Sequence, residues 1–316
     1  MKNITARVLG PAKIEVLVLH TILAVGLSLS AFTARAQQSF TYTQHANNLL
    51  PINTAYSLVH AEGEIGFLAR KQWVGIKGAP TTFIANGYLP ITNDSTITAG
   101  TNIFYDQVGK EKLSQIDAFI AKGVRISEKD FLAVSISFGV RRYVTDYASL
   151  DQNDPNLRSD IRENVGNIGM SVMAYGNVGK TENKYYAGVS IPRVGRMAFG
   201  GASTENRYFK KQYYIAGGYT QKINESFSAQ PAVLVSFSGN SPLQANFSGT
   251  LYVQDKFGVG FNYRTDNELA ALLNFNINTR VRAVYSYQFG FGATKLGGIT
   301  VATHEIGFSY RFALAE

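Results

Sequence analysis

Apolar residues return at every second position through most of this chain. In "FLAVSISFGVRRY", Leu132, Val134, Ile136, Phe138 and Val140 share one side, while Ala133, Ser135, Ser137, Gly139 and Arg141 share the other. A period of two, with one greasy face and one small or polar face, is the pattern of a half-buried strand. It recurs in "VRAVYSYQF", where Val281, Ala283, Tyr285, Tyr287 and Phe289 oppose Arg282, Val284, Ser286 and Gln288. In "THEIGFSYRF" the greasy set is Ile306, Phe308, Tyr310 and Phe312, opposite Glu305, Gly307, Ser309 and Arg311. From Glu64 onward about 14 such segments follow without a domain linker, centred on residues 64–73, 81–90, 96–107, 113–126, 131–143, 165–176, 182–191, 207–222, 227–238, 244–254, 256–265, 268–278, 279–290 and 302–312. The expected fold class is all-β.

The connections sort by parity. The even ones are compact: "TNDS", "SEKD", "NVGKT", "INES", "QDK" and "INT". The odd ones include long tracts, from Val144 to Asn164, Pro192 to Asn206 and Gly292 to Val301, beside short ones such as "RTDN". A soluble sandwich has no reason to separate short from long loops in this way, whereas an outer-membrane barrel has short turns on one side and longer loops on the other. The expectation is therefore a transmembrane antiparallel β-barrel over residues 61–316, with both termini in the periplasm. A near-neutral mean hydropathy does not oppose this, because alternation hides a lipid-facing band from any average.

The N-terminus supports the same compartment. Lys2, Arg7 and Lys13 precede an apolar run from Val16 to Leu29, and Ala34 and Ala36 then form an A-x-A cleavage site. Residues 1–36 are expected to be a signal peptide, with the mature chain beginning at Gln37. Residues 37–60 read differently from the strands: "QQSFTYTQHANNLLPINTAY" is polar and carries Pro51 and several Asn that would interrupt a ladder. This segment is expected to pack in the lumen or against its periplasmic mouth. Removing the leader takes Lys2, Arg7, Lys13 and Arg35 against Glu15, which lowers the formal charge from +8 to +5. So mild a balance, with scattered charges, gives no footprint for nucleic acid. Abundant Gly, Tyr and Phe favour β structure, and the absence of Cys excludes disulfides and thiol chemistry.

Little in the chain suggests catalysis. The mature histidines, His45, His60 and His304, have no metal-ligating spacing, and a hydrolytic pairing of His304 with a cross-strand serine lacks an orienting third group. Asp151, Asn153 and Asp154 resemble the start of a calcium loop without its Gly or distal Glu. "GNVGK" at 176–180 is a turn without the full phosphate-loop pattern. The expectation is a non-enzymatic protein with no cofactor or metal.

The stretch with the clearest character is "LARKQWVGIKGAPTTF", which holds the only tryptophan between cations. Trp73 is expected at the outer end of the first strand, its ring in the lipid headgroup zone, with Lys71 on the same face. Arg70 and Gln72 would face the lumen, and Gly75, Gly78 and Pro80 would shape the first external hairpin. Arg70, Lys71, Gln72, Trp73, Gly75, Gly78 and Pro80 are the candidate site, serving either partner binding or the setting of barrel depth at the rim.

That block, the upstream "QHANNLLPINTAY", then "YYAGVSIPRV", "DKFGVGFNYRTDNELAALLNFNINTRVRAVYSYQF" and "HEIGFSYRF", resembles the PorP/SprF family of type IX secretion membrane proteins over nearly the whole mature chain. The resemblance implies an outer-membrane barrel of a Bacteroidota-type envelope that assists export or surface anchoring of cargo with a C-terminal sorting domain, such as gliding adhesins. It implies a periplasmic lipoprotein ring and peptidoglycan-binding lipoproteins as partners. The alternative is a transport barrel for a hydrophobic or small polar solute, since a barrel of this size lies between the filled small barrels and the open porins.

Overall fold

The structure is a computed structural model that describes residues 42–60, 62–149, 160–178, 182–199, 211–239, 242–290 and 302–313, with the side chains of 195–199 and 290 left aside. The expected leader, the Asp151 to Asp154 stretch, and the tract from Gly292 to Val301 lie outside the described residues. The strands are β1 (Gly63–Lys71), β2 (Thr81–Pro90), β3 (Ile97–Val108), β4 (Glu111–Arg125), β5 (Asp130–Thr145), β6 (Arg162–Asn177), β7 (Lys184–Phe199), β8 (Tyr213–Lys222), β9 (Phe227–Phe237), β10 (Gln244–Val253), β11 (Phe257–Arg264), β12 (Glu268–Asn276), β13 (Val281–Gly290) and β14 (Ala302–Phe312).

Each strand pairs with its sequence neighbours, and β1 pairs antiparallel with β14 from Gly63↔Phe312 to Lys71↔His304, which closes the barrel. Closure leaves no strand edge, the condition for β structure in lipid, where an unpaired backbone group finds no water. The alternation sets the two faces. Phe67 and Phe138 stand outward and remain more than half exposed, at 56% and 53%, together with Ile116 and Phe261. Their inward neighbours, such as Leu68, Ser137, Asp117 and Asn262, are buried. An exposed apolar band on a closed barrel is what a membrane covers.

The end of the barrel that holds Gly63 and Phe312 carries tight turns, several closed by an Asx side chain. Asp94 accepts from the Thr96 N–H at 3.1 Å, Asn224 from the Phe227 N–H at 2.9 Å, and Asn278 from the Val281 N–H at 2.8 Å. These side chains mimic a backbone turn and terminate the strand at that point. The opposite end carries the longer connections, called the loop end below.

Several strand boundaries differ from the sequence expectation, three of them near the candidate site or the long tracts. β1 stops at Lys71, two residues early, because Trp73 adopts φ 47, a left-handed conformation that ends a strand. The tract from Val144 to Asn164 is partly paired, since β5 runs to Thr145 and β6 begins at Arg162. The tract from Pro192 is no loop as far as Phe199: β7 continues through it past an irregularity opposite Gly169. Proline without a donor N–H is tolerated there because a bulge already interrupts the ladder.

Candidate functional site

Residues 42–60 do not join the wall; they fold inside it. The segment makes a short 3-10 turn at Thr54–Leu58, capped by Asn53, whose side chain accepts from the Ala55 N–H at 3.1 Å. The same Asn53 donates through Nδ2 to the carbonyls of Val172 (3.2 Å) and Val189 (3.3 Å), which are register partners on β6 and β7. Thr54 Oγ1 lies 2.7 Å from Ser135 Oγ on β5, Ser171 Oγ on β6 accepts from the Ala55 N–H at 3.1 Å, and Asn86 Nδ2 on β2 donates to Asn48 Oδ1 at 2.9 Å. The small hydroxyl residues on the inward face of β5 and β6 thus serve as hydrogen-bonding seats for the inner segment, which otherwise would bury polar backbone without partners.

An apolar core forms between segment and wall. Tyr42, Leu49, Ile52, Ala55 and Leu58 pack against Leu68, Ile84, Met173 and Leu234, and Leu50 packs separately on Tyr88 and Phe119. Fully burying a leucine is worth roughly 1.5–3 kcal/mol, so Leu49 and Leu58 offset the entropy of ordering a few residues, and the hydrogen bonds and the other buried side chains must supply the rest.

The start of the inner segment is fastened by charge. The Thr43 N–H donates to Glu305 Oε1 at 2.8 Å and the Gln44 N–H to Oε2 at 3.2 Å. Arg70 Nη1 donates to the same Glu305 Oε1 at 2.5 Å, with side-chain exposures of 1% and 0% for the pair. Arg70 Nη2 reaches Gln288 Oε1 at 3.1 Å, Gln288 donates to Glu268, and Glu268 and Asp266 both pair with Arg264. A buried carboxylate that is ion-paired and accepts backbone N–H groups is satisfied on every side, the condition under which a buried charge is tolerated.

At the loop end a cavity of about 190 Å³ remains, floored by Tyr42, Pro51 and Ile52 of the inner segment. Among its walls are Arg70, Gln72, Trp73, Arg141, Arg193 and Arg264.

The candidate residues from the sequence divide around this cavity. Arg70 and Gln72 line it, as their parity requires. Lys71 points outward, and its Nζ donates to Thr81 Oγ1 at 2.6 Å. Trp73 lies at the loop end, two residues beyond β1, as its place in the sequence suggests; it takes a left-handed backbone, is half-buried and borders the cavity. The hairpin is built as its residues suggest: Gly75 (φ 97) and Gly78 (φ 78) take conformations costly for other residues, and the Gln72 N–H donates to the Pro80 carbonyl at 3.0 Å. Gly78 O also accepts from the Gly109 N–H at 2.9 Å, tying the first loop-end hairpin to the next. His304 faces outward, 2.8 Å from the Tyr285 hydroxyl and edge-on to Tyr287, opposite Lys71 at the loop end of β1.

Sequence reading passed over Glu305, Gln288, Asn53, Arg141 and Arg193. Glu305 had a visible signal: a carboxylate on the inward face of a membrane strand needs a cation, and the closing pairing sets it directly opposite Arg70.

A closed antiparallel barrel with an apolar outer band and a polar, occupied interior is an outer-membrane β-barrel. Residues 34–310 match the family described as type IX secretion system membrane protein PorP/SprF, and the chain belongs to that family. No curated protein matches it. Among solved structures it is similar to the TodX deltaS2S3 mutant monoaromatic hydrocarbon channel, at 8% identity and TM-score 0.53 over 89% of this chain and 97% of that one. The Pseudomonas putida toluene transporter TodX aligns at 9% identity and TM-score 0.49, over 87% and 94% of the two chains. The Acinetobacter baumannii outer membrane protein Omp33 aligns at 10% identity and TM-score 0.45, over 79% and 98%.

Proposed function

We propose that this protein is a non-enzymatic accessory of type IX secretion that assists export or surface anchoring of sorting-domain cargo, gliding adhesins among them. In this reading the leader is removed after Ala36, both barrel termini lie in the periplasm, and the loop end faces outward toward cargo. The periplasmic end meets the lipoprotein ring and peptidoglycan-binding lipoproteins. The observation that carries it, beside the family, is the fastening of Thr43, Gln44 and Asn53 to the inward face of the wall. Residues 42–60 act as a plug, so that the barrel supplies a membrane address and a binding surface instead of a conduit. Deleting the gene should leave the envelope intact while a defined set of sorting-domain proteins moves from the surface to the medium or is retained. Normal surface and medium proteomes in the deletion strain would sink the reading.

The second reading is a transport barrel for a hydrophobic or small polar solute, favoured by the cavity above the inner segment. Purified protein in a planar bilayer separates the two, since a pore conducts and a plugged anchor stays silent. A transporter's loss would also change solute uptake and leave surface proteins in place.

A further inference from the structure

Trp73, two residues beyond the end of β1, and Arg193, within β7, border the same cavity. Trp73 does so with a left-handed backbone. Such a conformation in a bulky residue costs about 1–3 kcal/mol and persists where the surroundings hold it, often at functional sites. Arg193 does so through a bulge. Ser190 of β7 is buried on the lumen side, so regular alternation would turn Arg193 toward lipid. Instead Pro192, Arg193 and Val194 stand opposite the single residue Gly169 of β6, between the pairs Met170↔Ile191 and Ile168↔Gly195. A Cβ on Gly169 would lie 2.7 Å from the Pro192 carbonyl oxygen, so the bulge requires glycine at this point. Asn167 Nδ2 donates to the same oxygen at 2.9 Å and pins the distortion. Bulges recur where a strand must re-aim a side chain.

Arg70 is balanced by Glu305, and Arg264 by Asp266 and Glu268. Asp106 accepts from Thr82 at 2.7 Å, and Thr82 is the register partner of both Asp106 and Arg70. On the other arc Arg141, Arg193 and Asp117 line the cavity together, and Asp117 accepts from Gln115 and, at 3.3 Å, from Asn167. The Nε–H of Arg193 is buried without a hydrogen-bond partner. A guanidinium presents a planar fork that a carboxylate meets with two parallel hydrogen bonds.

We propose that this vestibule is a binding site for a carboxylate carried on a compact aromatic or apolar body, with the carboxylate on Arg193 beside Arg141 and the body against Trp73. The proposal does not depend on the secretion reading, since it concerns only the cavity. Trp73 is the only tryptophan in the chain, so its emission reports on this site alone. The folded, detergent-solubilised protein is titrated with phenylacetate, with its neutral amide phenylacetamide and with inorganic phosphate in parallel. The acid should give a saturable change that the amide and phosphate do not. Arg193→Gln should weaken the acid about tenfold or more, the usual scale of a charge-assisted hydrogen bond, with Arg193→Lys between. Superimposable acid and amide titrations, a phosphate response equal to that of the acid, or an Arg193→Gln protein that titrates like the natural one would each overturn the site. If that variant fails to fold, judged by heat-dependent gel mobility, the acid and amide comparison on the natural chain decides alone.

Discussion

Arg70 and Glu305 are direct register partners across the seam that closes the barrel, and the same Glu305 carboxylate receives the Thr43 and Gln44 N–H groups. One carboxylate therefore joins the first strand, the last strand and the inner segment. Removing one member of a buried ion pair strands the other, at a cost of about 3–5 kcal/mol, while replacing both with apolar residues is often close to neutral. Glu305→Gln should loosen the inner segment, read as added conductance in planar bilayers and faster proteolysis near Thr43. Arg70→Met with Glu305→Gln should be milder than either single change, because no charge is left unpaired and a side-chain amide oxygen still accepts from the inner segment. A double variant that is worse than both singles would show that the pair is not the fastening.

Leu49 and Leu58 test the apolar half of the same docking. Both are buried in the core between segment and wall. Truncation of such a residue costs about 2–5 kcal/mol in transfer and cavity terms. Leu58→Ala should release the segment without unfolding the ladder, so conductance rises while the heat-dependent shift in gel mobility stays. Loss of that shift would mean that the segment is needed to hold the barrel itself.

Docking should also depend on pH. His45 is 1% exposed, and burial pushes its imidazole down from an ordinary 6.5 to about 4. His60 is shifted in the same direction, chiefly by burial and also by Arg311. A released segment takes up a proton near 6.5 that the docked segment refuses until about 4. Docking is then at full strength above pH 6.5 and weakens as pH falls toward 4. Conductance should rise across that window, and His45→Gln should flatten the rise. A pH response unchanged in His45→Gln combined with His60→Gln would assign it elsewhere.

The wall was legible because alternation is local. Segments 81–90 and 302–312, read from period two alone, match β2 and β14. Parity also assigned Arg70, Gln72 and Lys71 to their faces. It ends before Trp73, which follows β1 with a left-handed backbone, and it did not reach Arg193, which fell in a tract read as a loop and is carried by a bulge of β7. Neither event changes composition, so no periodicity records it. A weaker signal was available for the internal core: Leu68 follows Phe67, Met173 follows Val172, and Leu234 lies between Val233 and Val235. Apolar residues on both faces of a membrane strand mark the places where something apolar sits inside, yet they do not say which part of the chain it is.

The loop end is where cargo recognition should be tested, and the strand boundaries say where to cut. Thr145 is the last residue of β5, and its N–H donates to the Ile161 carbonyl at 2.9 Å. A replacement of 144–164 would therefore remove paired backbone, and one of 192–206 would remove the bulge that carries Arg193. Replacing only residues 147–159 by a short Gly/Ser turn leaves the ladder and the cavity wall intact, because surface connections tolerate change where few backbone bonds are lost. If this loop contacts cargo, cells with the replacement should keep a heat-modifiable barrel at natural abundance and yet misplace the same sorting-domain proteins as the deletion strain. A comparison of surface and medium proteomes across natural, deletion and loop strains checks this. A folded loop variant with a natural distribution of those proteins would move recognition to another part of the loop end, and the matching replacement of 201–210 would then be the variant to score.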